Sequence, residues 1–266
     1  MRSPGLFLRR PLLLSVVVVA ALVILALVLH VLFASVPPGR GRLLLSAGAL
    51  LPSLAIALFF ASRIGLQRTG FRLAVDPTGR WSLLLLAIPL LAAALALPFR
   101  ASVGAGPFLL TGALALLIGL HEETWFRGVI LTALATRGPT YGLVASAMLF
   151  GVAHSFNVLT TGAPAAAVAY QVATAALIGI VFGAVRLRTG ALWPAIAGHA
   201  AVDWAALLIL YPSTAPRTPT VLTAAGGLLI YGTLAAIGLL LVGRAEGRRP
   251  EADEDAVFPL PAPRGD

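Results

Sequence analysis

Long apolar runs recur along this 266-residue chain, and no other feature constrains its fold as strongly. Charged residues make up 11% of the sequence, whereas a soluble globular protein uses roughly 25% to cover its surface. An apolar run of about 20 residues crosses the hydrocarbon core of a bilayer as a helix. The composition therefore excludes a water-soluble globular protein, and we expect lipid to be the main solvent of the chain.

The sequence predicts an all-α polytopic membrane protein with about eight transmembrane helices, joined by short loops rich in Pro and Gly. The first run is read as a retained helix, because it is too long for a signal peptide and no clear cleavage site follows it. The predicted spans are Leu12–Phe33, Leu43–Ser62, Ser82–Leu97, Phe108–Leu134, Thr140–Phe156, Ala165–Val185, Ala191–Leu210 and Val221–Val242.

Breaks in this pattern divide the chain into four parts. Residues 1–107 hold the first three helices, residues 108–210 hold a core of four helices, and residues 211–243 hold the last helix. Residues 244–266 are rich in charge, Pro and Gly. A segment of that composition cannot bury enough apolar surface to fold, so we expect a disordered cytoplasmic tail.

Arginine supplies all 19 basic residues, and its distribution orients the predicted bundle. With the N-terminus inside, 14 Arg lie in inner segments, four lie in outer loops, and Arg127 lies within a helix. Inner loops of membrane proteins carry such an excess, so we expect both termini in the cytoplasm. The lack of Lys is typical of a GC-rich genome, and we expect a bacterial inner membrane. The net charge is +9, but the arginines lie at the ends of the apolar runs, so no nucleic-acid partner is expected.

Ionisable side chains inside the spans are the candidate functional residues, because each costs about 2.5–3.5 kcal/mol to insert. Three of the four acids that precede the tail, and three of the four histidines, lie in the predicted core. The set consists of His121, Glu122, Glu123, Arg127, His154, His199 and Asp203.

The spacing of these residues suggests different roles for them. Glu123 and Arg127 are four residues apart, so they share a helical face and can form an ion pair. Glu122 points about 100° away and is free for chemistry. His199 and Asp203 also share a face, which suits joint metal ligation or a carboxylate that orients an imidazole.

Depth along the helices provides an independent test. Glu122 lies about 22 Å from the inner loop at Arg137, and His154 lies about 21 Å from Thr140. His199 and Asp203 lie about 12 and 18 Å into their helix. All four fall in one band of depth, so we expect them to face one polar cavity.

Several weaker candidates have structural explanations as well. His30 is near the outer end of its helix and is expected to be interfacial. Trp125 and Trp204 lie within a turn of the polar residues, where they either wall the cavity or pack in the core. Asn157 and Gln171 either line the cavity or bond across helices.

The helices that carry these polar residues contain three sequence motifs. They are EExxxR at Glu122–Arg127, FxxxH at Phe150–His154 and HxxxD at His199–Asp203. Together they resemble the CPBP family of intramembrane proteases, also called the CAAX-protease and bacteriocin-processing (Abi) family. The resemblance covers about Phe108 to Leu210.

The resemblance implies an active site of Glu122, Glu123, Arg127, His154, His199 and Asp203. By this resemblance, we expect Glu122 and His154 to activate water, His199 and Asp203 to stabilise the oxyanion, and Glu123 and Arg127 to hold the shape of the site. Asp203 departs from the asparagine form of the motif. An aspartate donates to an oxyanion only when it is protonated, and its alternative role is to orient His199.

A metal-free glutamate mechanism is preferred, and no cofactor is expected. Zinc bound by His154, His199 and a carboxylate stays open. The chain contains no cysteine, which excludes disulfides, Cys-ligated zinc and a cysteine nucleophile. The signature HExxH is absent after His121 and Glu122.

The sequence thus predicts an intramembrane endopeptidase whose partners are membrane lipid and a membrane-associated protein or peptide substrate. The substrate itself stays open. A small-solute or proton-coupled transporter is one alternative, since buried Glu, Asp and His also form proton relays. A non-catalytic membrane scaffold or immunity protein is another.

Overall fold

The computed structural model describes residues 10–36, 40–99, 103–210 and 218–247. These residues form helices and no strand. The predicted tail lies outside the described residues from residue 248 onward. The all-α prediction is therefore confirmed for the described part of the chain.

The eight longer α-helices of the described residues are named α1 to α8 in chain order. Their bounds are α1 Pro11–Leu32, α2 Arg40–Ile64, α3 Ala87–Ala96, α4 Ala105–Glu123, α5 Pro139–Ala153, α6 Ala165–Thr189, α7 Trp193–Leu210 and α8 Val221–Glu246. Shorter helical segments extend three of them. A 3₁₀-helix, Pro77–Leu86, leads into α3. A π-helix, Thr124–Ile130, and a single α-helical turn, Leu131–Leu134, continue α4. The segments His154–Phe156 and Asn157–Thr160 continue α5.

Seven described helical segments are long and apolar enough to cross a membrane, and α7 is a shorter apolar helix. The chain is therefore an integral membrane protein, as the apolar runs predict. The third predicted span differs in its local structure from a uniform α-helix. The predicted span Ser82–Leu97 begins within the 3₁₀-helix Pro77–Leu86, whose first turn contains Pro77 and is capped by Asp76, which accepts the Thr78 amide proton at 2.9 Å.

Packing is dense around the helices that carry the motifs. Helix α4 packs mainly on α7, α5 packs on α6, and α8 covers the other side of α6. Helix α1 packs on the bundle through four buried residues, Pro11, Ser15, Val19 and Val23, and through the partly buried Leu14, Val18 and Leu22. Many large apolar side chains are exposed on the outer faces of the helices, as expected where lipid surrounds the protein.

Arginine side chains fix the loop between α2 and the 3₁₀-helix to the end of α6. Arg186 is buried, and its guanidinium donates to the carbonyls of Arg68 and Thr69 at 2.6 and 3.3 Å. Gly70 has φ +93°, and the Arg186 guanidinium occupies the space that a Cβ would need. An arginine that the sequence analysis placed in an inner loop is thus part of the packed interior.

Gly151 sets the distance between α5 and α6. A Cβ at this position would lie 2.8 Å from the Val172 carbonyl oxygen and 2.9 Å from the Ala176 Cβ. Because both neighbours belong to α6 and one is backbone, the helices must move apart to accept a larger residue.

We expect Gly151→Ala to lower the free energy of unfolding, since overpacking a tight interface costs about 1–3 kcal/mol. The matched control is Gly232→Ala on α8, where nothing lies within 4 Å of the added Cβ. That change is expected to be neutral or slightly stabilising, because Ala favours helix over Gly. Thermal unfolding in detergent micelles measures both, and equal melting temperatures would contradict the packing argument.

Candidate active site

Four of the residues predicted from the motifs line one cavity of about 600 Å³. Glu122 lies on α4, His154 follows α5, and His199 and Asp203 lie on α7. Three separate helical segments thus place two carboxylates and two imidazoles around one volume. The four residues thus face one cavity, as their similar depths along the helices predict.

Glu123 and Arg127 lie beside this cavity, in the protein interior. Their side chains have no solvent exposure, and Arg127 Nη1 donates to Glu123 Oε1 at 2.9 Å. The spacing of four residues in the EExxxR motif thus corresponds to a buried ion pair. Neither residue lines the cavity, so both act on the site through their neighbours.

His199 is the neighbour that Glu123 holds. Its Nδ1 lies 2.8 Å from Glu123 Oε1. A carboxylate paired with a guanidinium can only accept hydrogen bonds, so Nδ1 carries a proton and donates it. The other ring nitrogen, Nε2, lies 3.6 Å from a carboxylate oxygen of Glu122 and 3.6 Å from one of Asp203.

Two phenylalanine rings enclose this ion pair and the imidazole. The Phe150 ring lies 4.2 Å from the Arg127 guanidinium carbon, and its centroid lies 4.7 Å from the His154 ring and 5.8 Å from the His199 ring. The Phe182 ring stacks on His199 at 5.5 Å. The first residue of the FxxxH motif therefore contacts residues of all three motifs.

His154 is fixed by its own helix. Its Nδ1 lies 2.8 Å from the Phe150 carbonyl oxygen. Since a carbonyl only accepts, Nδ1 is the protonated nitrogen, and Nε2 of the neutral ring can accept a proton. His154 is partly exposed, which suits contact with water in the cavity.

Glu122 has unused hydrogen-bonding capacity. Its side chain is 26% exposed, against 0% for Glu123. Within the described residues, its Oε2 is buried without a hydrogen-bond partner. The helix becomes π-helical immediately after Glu123, and short π-helical segments occur frequently at functional sites.

Sequence reasoning missed a second polar group in the cavity wall. Ser53 of α2 lies 2.8 Å from His121 Nε2, and Trp125 Nε1 donates to the same hydroxyl at 3.2 Å. Ser53 and His121 both line the cavity. The sequence offered one signal, a Ser within an apolar run. Its partner, His121, is 68 residues away, and periodicity cannot reveal a contact at that separation.

The weaker candidates divide between cavity and packing. Asn157 and Gln171 both line the cavity and also form a hydrogen bond to each other. The two roles that the sequence leaves open for them, lining the cavity and bonding across helices, therefore occur together. Trp204 packs on Phe108 with ring centroids 4.8 Å apart. Trp125, Trp204 and His30 are absent from the cavity lining in the described part of the chain.

Metal ligands are the last group of side chains to consider. Among the described residues, no group of three His, Asp or Glu side chains is placed to hold an ion. The Nδ1 atoms of His154 and His199 are bonded to Phe150 and Glu123, so Nε2 is the ring nitrogen that each could offer to a ligand.

We expect Arg127→Leu to destabilise the protein by about 3–5 kcal/mol, because it leaves the Glu123 carboxylate buried without its cation. Arg137→Leu is the matched control, since Arg137 is exposed and its guanidinium donates to the Tyr141 hydroxyl at 3.4 Å. Thermal unfolding in detergent compares the two variants. A similar loss for both would show that the buried pair is not critical.

The comparisons with known proteins agree with the motifs. Residues 104–205 match the family model described as type II CAAX prenyl endopeptidase Rce1-like. No curated protein and no solved structure matches the chain. The matched segment contains every residue of the three motifs. The segment that carries the site therefore matches a model of the family that its motifs resemble.

Proposed function

We propose that this protein is an intramembrane endopeptidase that hydrolyses a peptide bond in a membrane-associated protein or peptide. One observation carries the proposal: Glu122, His154, His199 and Asp203 surround a single cavity within a helical membrane protein. The match to a family described as CAAX prenyl endopeptidases supports the reaction class. The name of that family also makes C-terminal CAAX peptides the first substrates to test.

Glu122 is the general base in this proposal. It accepts a proton from a water molecule while the water oxygen attacks the carbonyl carbon of the scissile bond. His154 Nε2 accepts a hydrogen bond from the same water, because its Nδ1 is already committed to Phe150. The proton then passes from Glu122 to the amide nitrogen as the C–N bond breaks, which yields an acid and an amine.

His199 stabilises the oxyanion that forms on the carbonyl oxygen. Because Nδ1 donates to Glu123, Nε2 can donate into the cavity only when the ring is an imidazolium. The carboxylate of Glu122, 3.6 Å from Nε2, and that of Glu123, 2.8 Å from Nδ1, favour that cation. Glu123 and Arg127 are positioning residues that hold the ring.

Asp203 acts on the cavity in this proposal, and Glu123 orients His199. Glu123 Oε1 lies within hydrogen-bond distance of His199 Nδ1, at 2.8 Å, whereas Asp203 Oδ2 lies 3.6 Å from His199 Nε2. A protonated Asp203 then donates a second hydrogen bond to the oxyanion. The mechanism has no step through a metal ion.

We also propose that the protein lies in a bacterial inner membrane with both termini in the cytoplasm. The excess of Arg in the predicted inner segments supports this orientation. Membrane lipid and a membrane-associated substrate are its proposed partners.

We expect Glu122→Gln to lower kcat by a factor of about 10²–10⁴, the usual contribution of a general base. Glu246→Gln is the control, because Glu246 accepts hydrogen bonds from Thr140 at the far end of α5 and an amide oxygen can still do so. The assay uses the protein in liposomes with quenched fluorescent peptides, some prenylated at a CAAX cysteine and some apolar without a lipid. Equal cleavage by wild type and Glu122→Gln would remove the protease proposal and leave a transporter or a scaffold.

Two substitutions of Asp203 separate its possible roles. Asp203→Asn keeps a donor and should retain activity within about tenfold, since one hydrogen bond is worth roughly 1 kcal/mol. Asp203→Leu removes the donor and should lower kcat by about 10²–10³, as the loss of an oxyanion donor does. The same liposome assay measures both. If Asn and Leu lower kcat alike, Asp203 is not an oxyanion donor.

A further inference from the structure

Two amide side chains line the cavity but take no part in the proposed mechanism. Asn157 begins the short helix Asn157–Thr160 that continues α5, and Gln171 lies on α6. Both line the same volume as Glu122 and His154. Asn157 is partly buried and Gln171 is exposed, so the pair lies at the open side of the cavity, where an entering chain would meet it.

The two amides are bonded to each other. Asn157 Nδ2 donates to Gln171 Oε1 at 2.9 Å. This bond leaves the Asn157 carbonyl oxygen as an acceptor and the Gln171 NH₂ as a donor. Exchanging the orientations of both amides exchanges these roles and still leaves one acceptor and one donor.

The local helix places this pair close to the catalytic groups. Residues His154–Phe156 are 3₁₀-helical, and a 3₁₀-helix has three residues per turn with a rise of about 2 Å per residue. Asn157 therefore lies on the same face as His154, about 6 Å further along the axis. An extended peptide rises about 3.3 Å per residue, so the pair lies about two residues from the bond that is cut.

A peptide in this cavity has polar groups that require partners. A chain that lies extended at an active site within a membrane has lost its helical hydrogen bonds, and unpaired N–H and C=O groups are costly away from water. Helix α1 supplies no such partner, because it contributes only apolar side chains to the cavity lining, among them Leu22, Leu25 and Leu29.

We propose that Asn157 and Gln171 bind the backbone of an extended peptide substrate about two residues from the scissile bond. The free carbonyl oxygen accepts a substrate N–H, and the free NH₂ donates to a substrate C=O. This inference rests on the proposed peptidase function and adds to it a site that recognises backbone in preference to side-chain identity. Asn157 and Gln171 are thus substrate-binding residues, distinct from the water-activating pair.

The test is a coupling experiment with the full-length protein in liposomes. The probe is a quenched fluorescent peptide that the wild type cleaves, together with ester analogues in which one backbone N–H at a time is replaced by oxygen on either side of the cleavage point. Asn157→Leu and Gln171→Leu are compared with Gln67→Leu. Gln67 is exposed and lies outside the cavity lining in the described part of the chain.

For the wild type, we expect the ester two residues from the cut to lower kcat/KM by about three- to tenfold, the effect of one hydrogen bond. In Asn157→Leu, which lacks the acceptor of that N–H, amide and ester peptides should be cleaved equally, with the loss mainly in KM. Gln171→Leu removes the partner that orients Asn157, so it should raise KM and reduce the ester effect. Gln67→Leu should behave as the wild type. Melting temperatures of the variants show that they remain folded.

The experiment distinguishes a failure of the backbone-binding inference from a failure of the protease proposal. If the ester effect persists unchanged in both variants, the amide pair does not contact the substrate backbone and this inference is wrong, while the protease proposal stands. If the wild type cleaves no peptide of the panel, the protease proposal itself fails. A coupling confined to the ester two residues from the cut supports both.

Discussion

The carboxylate of Glu123 is the interaction on which the site depends. It has no solvent exposure, and one of its oxygens accepts from Arg127 at 2.9 Å and from His199 at 2.8 Å. A buried carboxylate would be very costly without these partners. The bond to Arg127 stabilises the charge within α4, and the bond to His199 ties α4 to α7. The same oxygen determines which nitrogen of His199 faces the cavity.

Two adjacent glutamates can therefore have different roles. Successive helical residues point about 100° apart, so Glu123 points into the interior while Glu122 lines the cavity with 26% of its side chain exposed. Phe150 and Phe182 pack on the arginine and the imidazoles and make the surroundings of the ion pair apolar. A fixed charge thus lies next to a carboxylate that remains available for proton transfer.

Local spacing predicted part of this arrangement. The all-α membrane fold and the Glu123–Arg127 pair follow from patterns within a few residues, because helix geometry fixes which side chains share a face. Spacing also made Asp203 a candidate to orient His199, yet Glu123, 76 residues away, makes that contact. Ser53 and Phe182 were missed for the same reason. Periodicity identifies the face of a helix and does not identify the helix opposite.

The charged and the apolar parts of the cavity wall come from different parts of the chain. Among the described residues, the charged side chains around the cavity come from the segment that matches the family, residues 104–205. The first two helices lie outside that segment and contribute apolar wall residues together with Ser53. Leu25, Ala26 and Leu29 of helix α1 line the cavity and are not among the side chains that α1 packs on the core, so changes to them would disturb few other contacts. Substitutions in α1 can therefore alter which chains enter the cavity while the ion pair and the imidazole it holds stay in place.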